Sequence, residues 1–427
     1  MQREVTATAD PVSAPALERL IVFDEHPLAE RILSGQLPRI EAAALSYLPD
    51  AMLSIPGLDR RQIVEDFCGS RPYVAAVLDT PLGRIASVVL PRFASECYGD
   101  PEGLAADCAR ASTLARDIGA RIVSLGGILA SATDYGRSLG TVQQDGVRFS
   151  TGHATTAAAV VLALDGILRR TARDLRRERV ACVGLGSVGL ASLRLMLRRL
   201  PHPEALLLCE VYRRREALEA LKEEVREQFG FAGELRCLPS HQAVAAGAYD
   251  ASVIVGATNV PDGLDVARLA SGTILVDDSA PHCFPLAAAA RRLEQHGDIL
   301  FTEGGTLHLP QPFASTYYYP AAAERALGVS RAQVRHSLDV QEITGCVLSS
   351  LLSVRHRHLP PVLGVPDVAA CEEHLDVLAE LGCSASPIRG RGNALGEAYV
   401  PSDEAIALFR ERFGLAAMSS AAAGESR

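Results

Sequence analysis

The spacing of apolar and polar residues changes character along this chain. Residues 73–78 and 84–90 are apolar runs joined by a turn that contains Pro and Gly, which predicts a pair of strands. From residue 179 to residue 302, short apolar runs alternate with helical patterns, as in a doubly wound parallel sheet. Residues 310–319 are aromatic and contain proline, so we predict a loop there, followed by mostly helical structure.

A glycine-rich motif follows the first strand of the alternating region. The apolar run of residues 180–183 leads into Gly184-Leu-Gly186-Ser-Val-Gly189 and then into a helical pattern. Gly184 permits a tight turn, Gly186 lets a pyrophosphate approach the backbone, and Gly189 lets the helix pack closely on the strand. The phosphates would lie on the N–H groups at the positive end of the helix dipole.

The next apolar run supplies the acidic residue of a dinucleotide site, because it ends at Glu210. We therefore predict a central, doubly wound Rossmann domain at 151–309. An N-terminal α/β substrate-binding domain (1–150) precedes it, and a mostly helical C-terminal region (310–415) and a disordered tail (416–427) follow it. The residues assigned to the cofactor from these two motifs are Gly184, Gly186, Ser187, Val188, Gly189 and Glu210.

Two further strand ends carry polar residues, and in doubly wound sheets such ends face the ligand. We assign Thr258 and Asn259 to the ribose or nicotinamide side of the cofactor, with an ordinary Asn turn as the alternative. Asp277 and Asp278 follow the next strand, where they either contact the ligand or cap a helix.

The type of cofactor is left open by these residues. Glu210 favours NADH, because a carboxylate accepts the ribose 2′-hydroxyl. Arg213, Arg214 and Arg215 follow it and favour NADPH if they clamp the 2′-phosphate, although such a run is also typical of a solvated helix face.

Two residues outside these motifs are candidates for catalysis. His153, within the Ser- and Thr-rich segment 150–156, is either an acid or base that titrates near neutrality or part of a helix-capping cluster. Cys346 lies beside an apolar helical stripe, so residue type alone favours a core cysteine. Lys222 is the single lysine, against 41 arginines, and arginine cannot replace a lysine that must lose its proton. Schiff-base chemistry and lysine-assisted hydride transfer are therefore disfavoured.

Composition excludes several classes of protein. The 427 residues carry a net charge of -9, which argues against a nucleic acid as partner. No apolar run reaches the roughly 18 residues of a membrane span, and the N-terminus has no apolar signal core. The ten cysteines are scattered, without C-x-x-C pairs or zinc spacing. We expect a cytoplasmic protein with reduced cysteines and no metal site, and its oligomeric state is left open.

Taken in order, these segments resemble the long-chain acyl-[acyl-carrier-protein] reductases best known from cyanobacteria. The resemblance is a series of short matches between about residues 49 and 354. Phe149-Ser-Thr-Gly-His-Ala-Thr-Thr-Ala is similar to that family's Phe-Thr-Thr-Gly-Asn-Thr-His-Thr-Ala, and Gly345-Cys346-Val falls where the family carries Ala-Cys-Phe. The other matching segments are 121–127, the glycine block, 275–281 and 303–306.

The resemblance implies that Cys346 is a nucleophile. It would take an acyl group from an acyl carrier protein or CoA, and hydride from NADPH would release an aldehyde for an aldehyde-consuming partner enzyme. It also favours NADPH over NADH if Glu210 turns away, and we assign Thr155 to the cofactor. The alternatives are a dehydrogenase of a small hydroxy or carbonyl compound without covalent intermediate, and a dinucleotide-sensing protein without turnover.

Some positions depart from the family pattern. His153 stands where the family has Asn, and Thr155 stands where it has His. Asp278-Ser-Ala replaces a Gly-Gly-Tyr segment, which could reshape the acyl pocket. We therefore expect a specialised acyl chain as the substrate.

Overall fold

The structure, a computed structural model, describes residues 20–55, 57–140, 146–210, 215–240, 243–328, 339–390 and 399–414. Within these residues the strands form two large sheets and one small sheet. The predicted tail at 416–427 lies outside them. None of the described helices is long and apolar enough to cross a membrane.

The first sheet belongs mainly to the N-terminal part of the chain. Its strand order is β1-β14-β3-β4-β2-β5-β6. The strands are β1 (Ile21–Asp24), β2 (Ala42–Leu48), β3 (Tyr73–Thr80), β4 (Gly83–Phe93), β5 (Ile122–Leu125), β6 (Arg148–Ser150) and β14 (Ala314–Tyr318). The predicted strand pair is β3 and β4, which are antiparallel neighbours.

The strand β14 corrects two expectations. We predicted a loop at 310–319, yet residues 314–318 pair in parallel with β1 and antiparallel with β3. The segment Ala-Ser-Thr-Tyr-Tyr is rich in residues that favour strands. The loop was predicted from the aromatic residues and prolines of this segment. The strand could not be foreseen, because its pairing partners are distant in sequence. One segment of the predicted helical C-terminal region therefore completes the N-terminal sheet.

The second sheet is fully parallel and confirms the predicted Rossmann fold. Its order is β12-β11-β10-β7-β8-β9, which is the dinucleotide-binding order when β7 is counted as the first strand. The strands are β7 (Arg179–Val183), β8 (Ala205–Glu210), β9 (Glu234–Pro239), β10 (Val253–Gly256), β11 (Thr273–Asp277) and β12 (Ile299–Glu303). A small sheet of β15 (Glu342–Thr344), β13 (Thr306–His308) and β16 (Ser384–Ala385) lies beyond them.

The helices connect and cover the sheets. They are α1 (Leu28–Leu33), α2 (Arg60–Gln62), α3 (Pro101–Ile118), α4 (Leu129–Ala132), α5 (His153–Arg170), α6 (Ser187–Arg199), α7 (Arg215–Glu227), α8 (Leu286–His296), α9 (Ala321–Leu327), α10 (Gly345–Arg355), α11 (Val368–Glu380) and α12 (Asp403–Phe413). Short 3-10 segments are Asp50–Ser54, Ala94–Glu96, Arg137–Leu139, Leu175–Arg177, Ala246–Asp250 and Val266–Arg268, and Ile63–Phe67 is π-helical.

Helices α5 and α10 hold the two large sheets together. α5 is buried along most of its length and leads from the first sheet into β7. α10 packs against α5 and against β2, β4 and β5. Ala42 and Ile85 of the first sheet share one buried apolar cluster with α10 and the Rossmann strands. The carboxyl ends of strands from both sheets are thereby brought to a common cleft.

Candidate functional site

A cavity of about 580 Å³ lies in this cleft. Its walls come from the loops after β7, β10 and β11, from the ends of β2 and β5, and from the start of α10. The order of the Rossmann sheet reverses between β7 and β10, which is where doubly wound sheets bind ligands. Ten residues singled out from the sequence line it: Gly184, Gly186, Ser187, Val188, Glu210, Thr258, Asn259, Asp278, His153 and Cys346.

The glycine-rich loop has the backbone geometry that its motif predicts. Gly184 has a φ of +87°, and a Cβ there would lie 2.4 Å from the Ala257 carbonyl oxygen. A Cβ on Gly189 would lie 1.9 Å from the Gly184 carbonyl oxygen, so this glycine serves helix packing. Among the residues that the structure describes, a Cβ on Gly186 would meet only the Tyr135 hydroxyl, at 3.7 Å. Gly186 thus leaves the cavity wall open beside the N-terminus of α6.

Glu210 is buried at the end of β8 and points towards this loop. Its Oε2 atom accepts the Leu185 N–H at 2.5 Å. The carboxylate therefore lies where the ribose of a dinucleotide would sit. Arg213 and Arg214, the residues assigned to a 2′-phosphate, lie outside the described residues.

Thr258 and Asn259 follow β10 and line the cavity beside the glycine-rich loop. The Thr258 N–H donates to Ser279 Oγ at 3.0 Å. The Asn259 amide donates to the Tyr98 hydroxyl of the N-terminal part at 3.1 Å. Asn259 therefore bridges the two sides of the cleft and does more than form a turn.

Cys346 lies in the first turn of α10 and lines the cavity. Eight of the ten cysteines are buried, and the two that are partly exposed are Cys346 and Cys237. Cys237 lies on β9, outside the residues that line the cavity. Its partial exposure to the cavity distinguishes Cys346 from the core cysteine that residue type alone favoured.

The surroundings of the Cys346 sulfur act on its proton in opposite directions. Burial raises the pKa of the thiol, and the charge of Asp278 adds to the rise. The Thr344 hydroxyl, 3.5 Å from the sulfur, and the N–H groups of Gly127 and Val347 lower the pKa. The resting sulfur is therefore a thiol, placed beside N–H donors that favour the thiolate once it forms.

Two glycines allow α5 and α10 to meet at their N-termini. Gly152, the N-cap of α5, has a φ of +72°, and a Cβ there would lie 2.8 Å from the Cys346 Cα. A Cβ on Gly345 would lie 2.9 Å from the Thr156 Cα. The first turn of α5, which carries His153, is therefore in direct contact with the turn that carries Cys346.

His153 connects α5 to the glycine-rich loop. Its Nδ1 atom lies 2.7 Å from Ser187 Oγ, and its ring stands edge-on to the Tyr135 ring. Burial lowers the pKa of His153 to about 4, so the imidazole is neutral at pH 7 and does not titrate near neutrality. The N-cap of α5 is Gly152, and the Ser150 and Thr151 hydroxyls accept the N–H groups of Gly152 and His153 at 3.3 and 3.4 Å, so part of the predicted Ser and Thr cluster does serve the start of the helix.

Thr155 does not reach the cavity, which corrects its assignment to the cofactor. Its side chain is fully buried, and its Oγ1 atom is 2.9 Å from His374 Nδ1 on α11. The next residue, Thr156, lines the cavity. Successive residues of an α-helix point about 100° apart, so a shift of one position separates the two environments.

A group of acidic residues and one histidine lies at the ends of β11 and β12. His282 Nδ1 lies 2.9 Å from Asp277 Oδ2, and His282 Nε2 lies 3.2 Å from Glu303 Oε1. Burial opposes protonation of His282, but these hydrogen bonds outweigh it and raise its pKa to about 10. Asp278 lines the cavity. The next helix begins only at Leu286, so neither aspartate caps it.

Two tyrosines in the cavity wall escaped the sequence analysis. The Tyr47 hydroxyl lies over Gly127, where a Cβ would come within 2.5 Å of it, and burial raises the pKa of Tyr47 to about 12. Tyr135 has a φ of +54°, a strained value for a residue with a side chain. The Gly126-Gly127 pair is a sequence signal from which a close approach at this place could have been inferred, and no pattern marks Tyr135.

When the chain is compared with known proteins, similar folds are found among solved structures. No protein family model matches the chain, and no curated protein matches it. The structure is similar to an L-tryptophan dehydrogenase from Nostoc punctiforme, with a TM-score of 0.31 and 12% identity, over 79% of this chain and 89% of that one. For a D-mandelate dehydrogenase from Rhodotorula graminis the TM-score is 0.28 and the identity 14%, over 62% of this chain and 81% of that one.

A malic enzyme from Entamoeba histolytica is also similar, with a TM-score of 0.31 and 11% identity, over 96% of this chain and 89% of that one. Scores this low establish no shared activity. The chemistry of the site must therefore be inferred from its own residues, and the resemblance of the sequence to acyl-carrier-protein reductases stays a prediction.

Proposed function

We propose that this protein is a reductase that converts an acyl thioester into an aldehyde with a reduced nicotinamide dinucleotide, through an acyl group bound to Cys346. The acyl donor is a carrier protein or CoA, and the aldehyde would pass to a partner enzyme that consumes it. The observation that carries the proposal is that Cys346 and the glycine-rich loop line one cavity. A hydride donor on the loop and an acyl group on the sulfur would share that space.

The glycine-rich loop fits the pyrophosphate of a dinucleotide. Gly186 leaves the wall open where a side chain would stand. The first N–H groups of α6 have no carbonyl partner within their own helix, as at every helix N-terminus, and can bind phosphate oxygens. Glu210 lies where it can accept ribose hydroxyls. When bound, such a cofactor supplies a hydride.

Cys346 is suited to accept the acyl group. Its sulfur attacks the thioester carbonyl, the bond to the carrier sulfur breaks, and the thiol proton leaves with the carrier thiol. The N–H groups of Gly127 and Val347 beside the sulfur favour the thiolate needed for attack. The single lysine cannot form a Schiff base in the cavity, because Lys222 lies on α7 with its amine 3.4 Å from Glu219.

Mass spectrometry of the intact protein tests this proposal. Incubation with a panel of acyl-CoA and acyl-pantetheine thioesters, without cofactor, should add one acyl group per chain. Addition of reduced cofactor should then remove the group as an aldehyde. A protein that takes no acyl group from any thioester, yet reduces a small carbonyl compound, would instead be a dehydrogenase without a covalent intermediate.

The cofactor should be NADH, which departs from our preference for NADPH. That preference required Glu210 to turn away, whereas its carboxylate is held by the Leu185 N–H. A carboxylate at this place repels the 2′-phosphate of NADPH. We expect kcat/KM to favour NADH at least about tenfold, or about 1.4 kcal/mol. Steady-state kinetics with both cofactors measures it.

Glu210→Gln should relax this preference, because the amide oxygen can still accept the Leu185 N–H while the charge is gone. Glu204→Gln is the matched control: Glu204 is exposed just before the start of the same strand, so its substitution should leave the preference unchanged. If the wild type prefers NADPH, the prediction is wrong, and residues other than Glu210 determine the choice between the two cofactors.

A further inference from the structure

Asp278 brings a carboxyl group into the same cavity as Cys346. It directly follows β11 and is half-buried. Its Oδ1 atom fills the space beside Gly305, where an added Cβ would come within 1.8 Å of it. The Gly305 carbonyl oxygen accepts the N–H of Gly345, the residue before Cys346, at 2.8 Å. Two direct contacts therefore connect the carboxyl group to the helix turn that carries the sulfur.

The Asp278 carboxyl group has no hydrogen-bond partner among the described residues. The two neighbouring carboxylates differ in this respect, because Asp277 and Glu303 are bridged by His282. A carboxyl group that faces a ligand cavity without a partner is disfavoured as an anion. Such groups are concentrated at functional sites, where they act on a ligand.

Resting on the proposed thioester reduction, we infer that Asp278 is the general acid that protonates the acyl oxygen during hydride transfer. The sequence supports a role specific to this chain, because the family that it resembles has glycine at the position of Asp278. Asp278 directly precedes Ser279, whose hydroxyl accepts the Thr258 N–H, and it lies close enough to Cys346 for its ionised form to raise the pKa of the thiol.

The Asp278 proton moves to the acyl oxygen while the acyl carbon accepts a hydride from the reduced nicotinamide, which gives a hemithioacetal on Cys346. The Asp278 carboxylate takes the hydroxyl proton back as the C=O bond re-forms and the C–S bond breaks. The sulfur leaves with the electron pair as a thiolate and takes up one proton from solvent. Each aldehyde consumes one hydride and one proton.

The electrostatics of the site support this role. Burial raises the pKa of Asp278 well above its usual value of 3.8, and the charges of Asp277 and Glu303 raise it further. A general acid must hold its proton near the working pH, and carboxylic acids in enzymes do so by burial and like charges.

Asp278→Asn tests the inference, because the amide keeps the shape of the side chain and removes its acidic proton. The acyl-enzyme is first formed without cofactor and quantified by intact mass. NADH is then added, and a single turnover is followed by absorbance of the reduced cofactor. We expect the adduct to form as in the wild type and the hydride step to slow at least about 100-fold.

Asp262→Asn is the control for loss of a carboxylate at the same edge of the sheet. Asp262 is exposed in the loop after β10 and does not line the cavity. Its φ of +51° is tolerated by asparagine. This variant should reduce the acyl-enzyme at the wild-type rate.

The pH dependence of the single turnover gives a second readout. The titratable groups around Asp278 are Asp277, His282, Cys283, Glu303, His153 and Cys346. Acylation removes the titration of Cys346. His153 titrates at about 4 and His282 at about 10, and burial raises the pKa of Cys283 well above 9.0. The wild-type rate should therefore fall with rising pH as Asp278 loses its proton, and burial places this fall well above the usual carboxyl pKa of 3.8.

Asp278→Asn should lack this alkaline decline. If the variant is slow but its rate still declines at alkaline pH, the decline belongs to another group and the role of Asp278 is overturned. A variant with a normal adduct and an unchanged hydride step would also overturn it, while the proposed function would stand. Failure of the wild-type protein to take any acyl group would instead overturn the proposed function.

Stability shows whether Asp278→Asn folds. Because the pKa of Asp278 is raised in the folded state, the wild-type protein becomes less stable as the pH rises from 3.8, the usual pKa of the carboxyl group, towards the pKa in the folded state. The asparagine variant lacks this loss. Its unfolding temperature should therefore equal or exceed that of the wild type, by a margin that grows with pH, and a less stable variant at pH 8 would assign Asp278 a structural role.

Discussion

Cys346→Ser should bind NADH as the wild type does and lose aldehyde formation at least about 1,000-fold, or about 4 kcal/mol of transition-state stabilisation. A thiolate is both the nucleophile that takes the acyl group and the leaving group that releases the aldehyde, and a serine oxygen performs both steps poorly near neutral pH. The covalent acyl adduct should vanish with the activity. Rates of NADH oxidation, product analysis and intact mass measure the three expectations.

Cys237→Ser is the matched control for this variant. Cys237 is the other partly exposed cysteine, and it lies on β9 with its thiol donating to the Leu218 carbonyl oxygen. We expect this variant to keep both adduct and aldehyde. Cys283 is buried and burial raises the pKa of its thiol, so it should not react.

Two results would contradict the assignment of Cys346. One is continued aldehyde formation by Cys346→Ser, which would favour a dehydrogenase without covalent intermediate. The other is an adduct mapped to Cys283 by peptide mass. Tight binding of cofactor by the wild type, with no turnover of any thioester or carbonyl compound, would favour a dinucleotide-sensing protein.

The Rossmann sheet could be predicted from the sequence because its signals are local. A buried apolar strand, a glycine turn and a helix follow one another within residues 179–199, and the structure repeats that order as β7, the loop and α6. The strand β14 could not be predicted in this way. Its five residues become a strand only by pairing with β1 and β3, which are far away in sequence.

The candidate site was predictable at the glycines, because only a residue without a side chain fits the backbone there. Gly184 and Gly189 have the close contacts that the motif requires. The side chains of α5 were not predictable, because only the packing of α11 directs Thr155 to His374 and leaves Thr156 in the cavity. The place of Cys346 beside the loop likewise depends on the crossing of two helices, which residue spacing does not encode.

Gly186→Val should abolish cofactor binding and leave the fold intact, which separates the two functions of the glycine-rich loop. Gly186 has φ −67° and ψ −159°, an extended conformation that does not require glycine. Its new side chain would project into the cavity, where the nearest other atom is the Tyr135 hydroxyl. We expect affinity for NADH to fall at least about 100-fold, or about 2.8 kcal/mol. Stability should change by no more than about 1 kcal/mol.

Gly189→Ala is the contrasting variant. Its Cβ would overlap the Gly184 carbonyl oxygen, so α6 must move away from β7. Overpacking of this kind costs about 1–3 kcal/mol, and the loss should appear in the unfolding temperature. Calorimetric titration with NADH and thermal unfolding compare the two variants. Normal NADH binding by Gly186→Val would mean that the glycine block is only a turn, because a pyrophosphate and a valine side chain cannot occupy the same place on the cavity wall.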